Sequence, residues 1–382
     1  MLAQQPAPLG ATALGQPQQQ QAQQQSPNND YAVPGSPTDG ISCLSWSPDG
    51  RFLVSGSWDN SLRCYEVAVN QTSVPNAPAA QLMNAQQRAQ TNCEGPVLCS
   101  DFSADGQSVF AGGCDQTARM WTLATQQATV IGRHDAPIKS IHVVPQFNLV
   151  VTGSWDQSIR CWDARSPTPA ATLTLPERCY AMDVTHPLMV VGTAERKILI
   201  YDLSRANWQS PLRYEESPLR HQTRCVAAFP DREGFAVGSI EGRVAIHHVN
   251  PKDAGRNFAF KCHRETQDAR VGQPAVCNIY SVNSIVFHKF GTFATAGSDG
   301  VYNFWDKDSK QRLMAFKPCG NSISCAAFSP VGNLYAYGLS YDWARGSENY
   351  NPQTPNLIML HHVKEEEIKQ RTKKAGAGSG RK

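Results

Sequence analysis

Charge is scarce in this sequence. Only 18% of its 382 residues are Asp, Glu, Lys or Arg, below the roughly 25% of an ordinary soluble domain, so its surface must rely on neutral polar groups. No apolar run approaches the roughly 18 residues that span a bilayer, and the opening stretch MLAQQPAPLG lacks the basic cluster of a secretory signal. These absences argue against a membrane-spanning helix, and the protein is expected to be intracellular. None of the twelve cysteines forms Cys-x-x-Cys. Cys43, Cys64, Cys99, Cys161 and Cys325 sit in apolar, strand-like segments, where reduced thiols pack as small hydrophobes. Net charge is +3, yet seven basic and three acidic side chains give residues 364–382 a charge of +4, which leaves the remainder at −1. A strongly basic nucleic-acid-binding domain is thereby excluded as a description of the whole chain, while a local patch stays open.

What is present is a repeat. Ten of the first 25 residues are Gln, a composition that cannot bury enough apolar surface to offset chain entropy, so residues 1–29 are expected to be a disordered tail. From Gly40 onward, short β-branched and aromatic runs alternate with Gly, Asp and Pro. Residues 41–67, ISCLSWSPDGRFLVSGSWDNSLRCYEV, read as strand, turn, strand, turn, strand, and the unit returns until seven copies are complete. The acidic residue of the second turn marks the phase: Asp59, Asp115, Asp156, Glu195, Glu241, Asp299 and Asp342. Four of the six gaps fit a period of about 40 to 45 residues, the spacing of propeller blades. The two long gaps hold insertions at about 69–93 and 250–279, expected to be loops between blades. The seventh copy supplies three strands, ending in LIMLHHV (357–363), so Asp30-Tyr31-Ala32-Val33 is expected to add the fourth and close the ring. The expected architecture is all-β: a seven-bladed propeller over 30–363 and a basic tail over 364–382.

The copies resemble the WD-repeat family at Trp162-Asp163, Trp305-Asp306 and His134. The resemblance implies that His134, Ser154, Asp156 and Trp162 form that family's internal relay, in which the turn Asp orients a His, the His contacts a Ser, and the Ser meets the Trp indole. Longer stretches are more informative, because a propeller alone does not specify function. HDAPIK, PERCY, TAERK, SIEGRVAIH, FKCHR, GSDG, FWDKD and SYDW stand in this order. Together they closely resemble the messenger-RNA export propeller family, which docks at nuclear pores on a GLEBS-type nucleoporin hairpin. SIEGRV, FKCHR and GSDG are similar also to a sister family of mitotic spindle-checkpoint propellers that bind GLEBS-like kinase segments, the alternative reading.

The resemblance implies a nucleoporin-binding site at Arg243, Phe260, Lys261, Trp305, Asp306 and Lys307. Arg243 and Lys261 would pair with glutamates of the hairpin, the Arg fork holding a carboxylate bidentately. Phe260 and Trp305 would be the apolar anchor and Lys307 a rim charge. His263 and Arg264 belong to the same locally basic stretch. The plainer reading makes Trp305 a tryptophan packed between blades and Arg243 an ordinary charge after a turn. RNA, or messenger ribonucleoprotein, is a second partner, with Lys307, Lys310 and Arg312 as phosphate contacts beside the tail cations.

Other strings carry little. AGAGSGRK lacks the Gly-Lys-Ser/Thr ending and the strand-to-helix setting of a phosphate loop. Cys262, His263 and Cys277 are poorly spaced for zinc and lack a fourth ligand. The turn acids are accounted for by the repeat, and no Ser, His and Asp set stands outside it. The sequence therefore points to a non-enzymatic adaptor with neither metal nor cofactor. It is expected to be a monomer within a heteromeric complex in the nucleus, at the pore, with shuttling to the cytoplasm.

Overall fold

The computed structural model describes residues 26–70, 78–267 and 275–370. Expectations for the Gln-rich segment before residue 26 and for the basic residues after 370 lie outside the described residues. Seven four-stranded antiparallel sheets and one separate two-stranded hairpin account for the described strands. The inner strands are Ile41–Trp46, Val97–Phe102, Ile138–Val144, Cys179–Thr185, Thr223–Ala228, Val282–Phe287 and Ile323–Phe328. Each packs against the next, and the first packs against the last, so the sheets form a closed seven-bladed propeller.

In each of the first six blades the chain zigzags from inner to outer strand. One face of the ring therefore carries the acidic turns, and we call it upper; the lower face carries the Asp-Gly type turns. Asp59, Asp115 and Asp156 each accept the backbone N–H two residues on, at 3.0, 3.1 and 3.0 Å. The intervening Asn60, Gln116 and Gln157 take φ of 66°, 66° and 64°, so the carboxylate holds a left-handed residue in a tight turn. Blade five places Gly242 there (φ 60°), and a Cβ would lie only 2.7 Å from the carbonyl oxygen of Cys262. In every blade the inner strand shifts register after its first residue, a bulge that adds local twist.

The ring closes as the N-terminal run suggested: Tyr31–Ala32 pairs with Leu357–His362, Tyr31 opposite Leu360. A buried clasp secures both chain ends. His361 Nδ1 donates to Asp30 Oδ1 (2.7 Å) and Nε2 to Glu367 Oε2 (3.1 Å), while the Tyr337 and Tyr302 hydroxyls donate to Asp30 Oδ2 at 2.6 and 3.1 Å. Burial alone would lower the imidazole pKa, but Asp30 and Glu367 outweigh it and push His361 up to about 9. Glu367 belongs to the helical turn Glu365–Ile368, whose Ile368 is 1% exposed. The packed body thus continues past Val363, where the tail was expected to begin, because Ile368 has an apolar cluster to fill.

Both insertions depart from the expected loops. Met83–Asn92 is the outer strand of blade one, paired with Ser61–Val69. Its Gln-rich composition fits an edge strand, where Met83 and Ala85 are buried and most other side chains face solvent. Phe258–Lys261 is likewise the outer strand of blade five, and Arg264–Gln267 pairs with Val276–Ile279 as the separate hairpin. An outer strand leaves most of its side chains exposed, so its sequence lacks the continuous apolar run that reveals the strands buried between blades.

Candidate binding faces around blades five to seven

Two buried relays anchor the region. In blade three, His134 Nδ1 donates to Asp156 Oδ2 (2.8 Å), while the Thr152 hydroxyl donates to His134 Nε2 (2.7 Å) and accepts from Trp162 Nε1 (2.8 Å). The hydroxyl is Thr152, not the expected Ser154. Ser154 Oγ instead sits 3.0 Å from the carbonyl oxygens of Ala136 and Pro137 and accepts the Asp156 N–H, which places it in the turn. Burial holds the His134 pKa below the usual imidazole range against the pull of Asp156, so the ring is neutral, as this pattern of donors requires. Blade six repeats the relay with His263, Thr295, Asp299 and Trp305, at 2.9, 2.8 and 2.9 Å. His263, expected in the basic patch, is therefore committed to the interior. Comparing the two copies locates the hydroxyl: Thr152 and Thr295 both precede the turn Asp by four residues, whereas the Ser154 position is Gly297 in blade six.

The expected single basic patch divides into two. On the side of the ring, between blades five and six, Phe258 and Phe260 of the outer strand meet Trp305 of blade six. The Phe260 and Trp305 ring centroids lie 4.7 Å apart. Lys310 Nζ stands 4.7 Å from the Phe258 centroid and the Arg312 guanidinium 5.9 Å from that of Trp305. Phe258, Phe260 and Trp305 are half-buried and Lys310 and Arg312 exposed, so the groove combines aromatic faces with cations free to reach solvent. Trp305 is thus both things foreseen for it, with its N–H tied inside and a ring face turned to Phe260.

Two residues expected here are occupied elsewhere. Lys307 is 6% exposed rather than at a rim. Its ammonium lies 3.3 Å from Asp231 and 3.1 Å from Asp308, and over the Phe229 ring at 5.0 Å, so both its charge and its stem are already satisfied. Asp306 is buried and accepts the Asp308 N–H at 3.0 Å, a turn acid rather than a free ligand.

The second patch is on the upper face. Arg243 and Lys261 stand opposite each other on neighbouring strands of blade five. Lys261 is exposed, and the closest acid to Arg243 is Glu241 at 3.6 Å, so neither cation is locked by a close carboxylate. Arg264, by contrast, donates to the Glu241 carbonyl at 2.7 Å and ties the hairpin down. Neither cation lines the neighbouring cleft of about 1070 Å³, but Gly242, next to Arg243, packs against the carbonyl of Tyr280, which walls that cleft together with Ile279 and the blade-seven loop after Tyr341. Trp343 is 52% exposed and stacks on Tyr350 at 5.0 Å and 16°, while Arg345 lies over Tyr280 at 5.7 Å. The floor is polar: Asp342 accepts from Asn283 at 2.8 Å and from the hydroxyls of Ser298 and Ser322. Exposed aromatic walls over a polar floor suit an extended peptide better than a small molecule. Trp343, in the stretch SYDW, is a wall of this cleft that the expected site residues did not include. The signal was there in Trp343, whose aromatic ring falls in a turn with no strand pattern to bury it.

Comparison with known proteins agrees with this architecture. The WD domain, G-beta repeat family matches residues 29–66, 86–122, 125–163 and 277–306. Protein RAE1 of Arabidopsis thaliana is 46% identical over 356 residues, covering 92% of this chain and 96% of that protein. The mRNA export factor of Xenopus tropicalis is 47% identical over 360 residues, 91% and 93% of the two chains. The Poly(A)+ RNA export protein of Schizosaccharomyces pombe is 42% identical over 349 residues, 90% and 94%. With identity of this level spread over nine-tenths of its length, the chain belongs to the family of WD-repeat propellers that contains these export proteins.

Proposed function

We propose that this protein is a non-enzymatic adaptor of messenger-RNA export, which tethers messenger ribonucleoprotein to the nuclear pore by holding an acidic GLEBS-type nucleoporin hairpin on its upper face. The observation that carries the reading is the aromatic-walled cleft beside two loosely paired cations, Arg243 and Lys261. A hairpin with apolar and glutamate side chains would put the former against Tyr280, Trp343 and Tyr350 and the latter on the cations. The names of the relatives, mRNA export factor and Poly(A)+ RNA export protein, support the export role. The side groove serves the RNA: single-stranded bases stack on Phe258, Phe260 and Trp305 while Lys310 and Arg312 meet phosphates. Separate faces let one molecule hold both partners at once, as an adaptor must.

The test is calorimetric titration of the full chain with a synthetic nucleoporin hairpin and, in parallel, with a hairpin from a checkpoint kinase. The wild type is expected to bind the nucleoporin peptide more tightly. Arg243→Glu with Lys261→Glu is expected to abolish that binding with circular dichroism and melting unchanged. Unaltered affinity in the double variant overturns the site, and preference for the kinase peptide overturns the export reading.

A further inference from the structure

Proline-directed protein kinases recognise Ser-Pro and Thr-Pro in exposed segments that can extend, and this chain has nine such steps in its described residues. Seven have hydroxyls already hydrogen-bonded within the fold. Ser210 and Thr354 do not. Ser210 lies on the linker between the third and outer strands of blade four, remote from the upper face. Thr354, followed by Pro355, lines the upper cleft together with Arg224, Arg345 and Tyr350.

The local structure favours access. Residues 343–353 are all exposed, Thr354 itself is half-buried, and the loop from Tyr341 to Asn356 contributes no strand to the sheet of blade seven. Only a short turn holds Thr354, with Asn351 Oδ1 accepting the Gln353 N–H at 3.0 Å and the Asn351 carbonyl accepting the Thr354 N–H at 3.0 Å. A surface turn with so few ties opens at little cost.

We propose that Thr354 is a phosphorylation site for a proline-directed kinase and that its phosphate expels the acidic hairpin from the upper cleft. The proposal rests on the hairpin-binding reading above and adds its regulation. In the reaction the γ-phosphoryl group of ATP passes to Thr354 Oγ1. A P–O bond forms at threonine, the bond to the β,γ-bridging oxygen breaks, ADP leaves, and the hydroxyl proton goes to the catalytic base of the kinase. The product carries a charge of about −1.5 to −2 at neutral pH. Placed in a wall of the cleft, it repels the glutamates of the peptide and competes for Arg345 and Arg224. Both are exposed, the first lying over Tyr280 and the second donating to Asn283 at 3.3 Å, and neither has a carboxylate partner among the described residues. Both effects act in the same direction.

The experiment treats the full chain with ATP and a mitogen-activated-type proline-directed kinase, maps the sites by mass spectrometry, and titrates the acidic hairpin peptide before and after. Phosphate at Thr354 and an affinity loss of about tenfold or more, shrinking as salt is raised, are expected. Whatever its starting affinity, Thr354→Ala should keep that affinity after kinase treatment, while Ser210→Ala should lose affinity as the wild type does, which separates the two sites. Phosphatase should restore binding. The proposal is overturned if the kinase modifies Ser210 but not Thr354, or if fully phosphorylated Thr354 leaves affinity within about twofold. Should the untreated wild type fail to bind the peptide, the hairpin reading falls and takes this regulation with it, an outcome distinct from binding that ignores phosphate.

Discussion

Blades three and six contain the same relay in different surroundings. Trp162 is 2% exposed and packs so closely on blade two that a Cβ at Gly132 would lie 2.4 Å from its ring. Trp305 makes the same bond to a threonine, yet its ring is half-buried, faces Phe260 and has Arg312 above it. The sequence neighbours explain the difference. Blade two presents a glycine in its outer strand, which admits the indole fully; blade five presents Phe260, which holds it partly out. One polar relay thus serves as an internal brace in one blade and as the back wall of a groove in another. The lesson is that a repeat motif reports the brace, while the adjoining blade decides whether any of it is left for a partner.

Substitutions can break this contrast. Trp162→Ala removes a fully buried ring and takes one of the hydrogen bonds of the Thr152 hydroxyl, so a loss of about 3 to 5 kcal/mol in denaturant unfolding is expected. Trp305→Ala should cost clearly less stability while weakening single-stranded RNA binding measured by fluorescence anisotropy. Equal stability losses would show that the two tryptophans have the same role. On the upper rim, charge reversal at Arg243 and Lys261 should remove about 2 kcal/mol or more of peptide affinity, with RNA binding unchanged. Loss of both ligands together would merge the two faces into one.

Within the groove, Lys310→Glu with Arg312→Glu should lower the slope of log affinity against log salt for RNA by about 2, one for each phosphate no longer neutralised. Lys307→Gln is the contrasting variant. Because Lys307 neutralises Asp231 and Asp308 internally, it should reduce stability and leave the salt slope alone.

The smallest effect concerns pH and sets the relay against the clasp of blade seven. His134 has a pKa lowered by burial, so its stabilising contribution is present above the unfolded value and is lost as pH falls through the folded one. His361 is raised to about 9, so its contribution is complete below the unfolded value of about 6.5 and is lost as pH rises through 9. Melting temperature should therefore drop on the alkaline side, and His361→Gln should flatten that limb alone. A wild-type alkaline limb that the substitution leaves intact would remove His361 as its source.

The ring was legible because its determinants are local. Short apolar runs, Asp-Gly turns and turn acids repeat at near-constant spacing through the inner, second and third strands, and burial against both neighbouring blades keeps those strands apolar. The outer strands Met83–Asn92 and Phe258–Lys261 were not legible, since a solvent-facing edge tolerates Gln, Arg and Lys. Among the site residues, Arg243, Lys261, Phe260, Lys310 and Arg312 stand free enough to meet a partner, whereas Lys307, Asp306 and His263 are used up by neighbours that sequence distance conceals. Lys307 finds Asp231 across 76 positions, for example.

By itself, then, the sequence determined the number of blades, the strand that closes them and three members of the relay, because turn chemistry and a two-residue pleat act over a few positions. The tertiary structure decided that Thr152 and not Ser154 completes the relay, that Lys307 is internal, and that the cations of one basic stretch divide between two faces. Those outcomes depend on strand register and on blade-to-blade contact, which bring together side chains whose separation along the chain has no fixed relation to their separation in space.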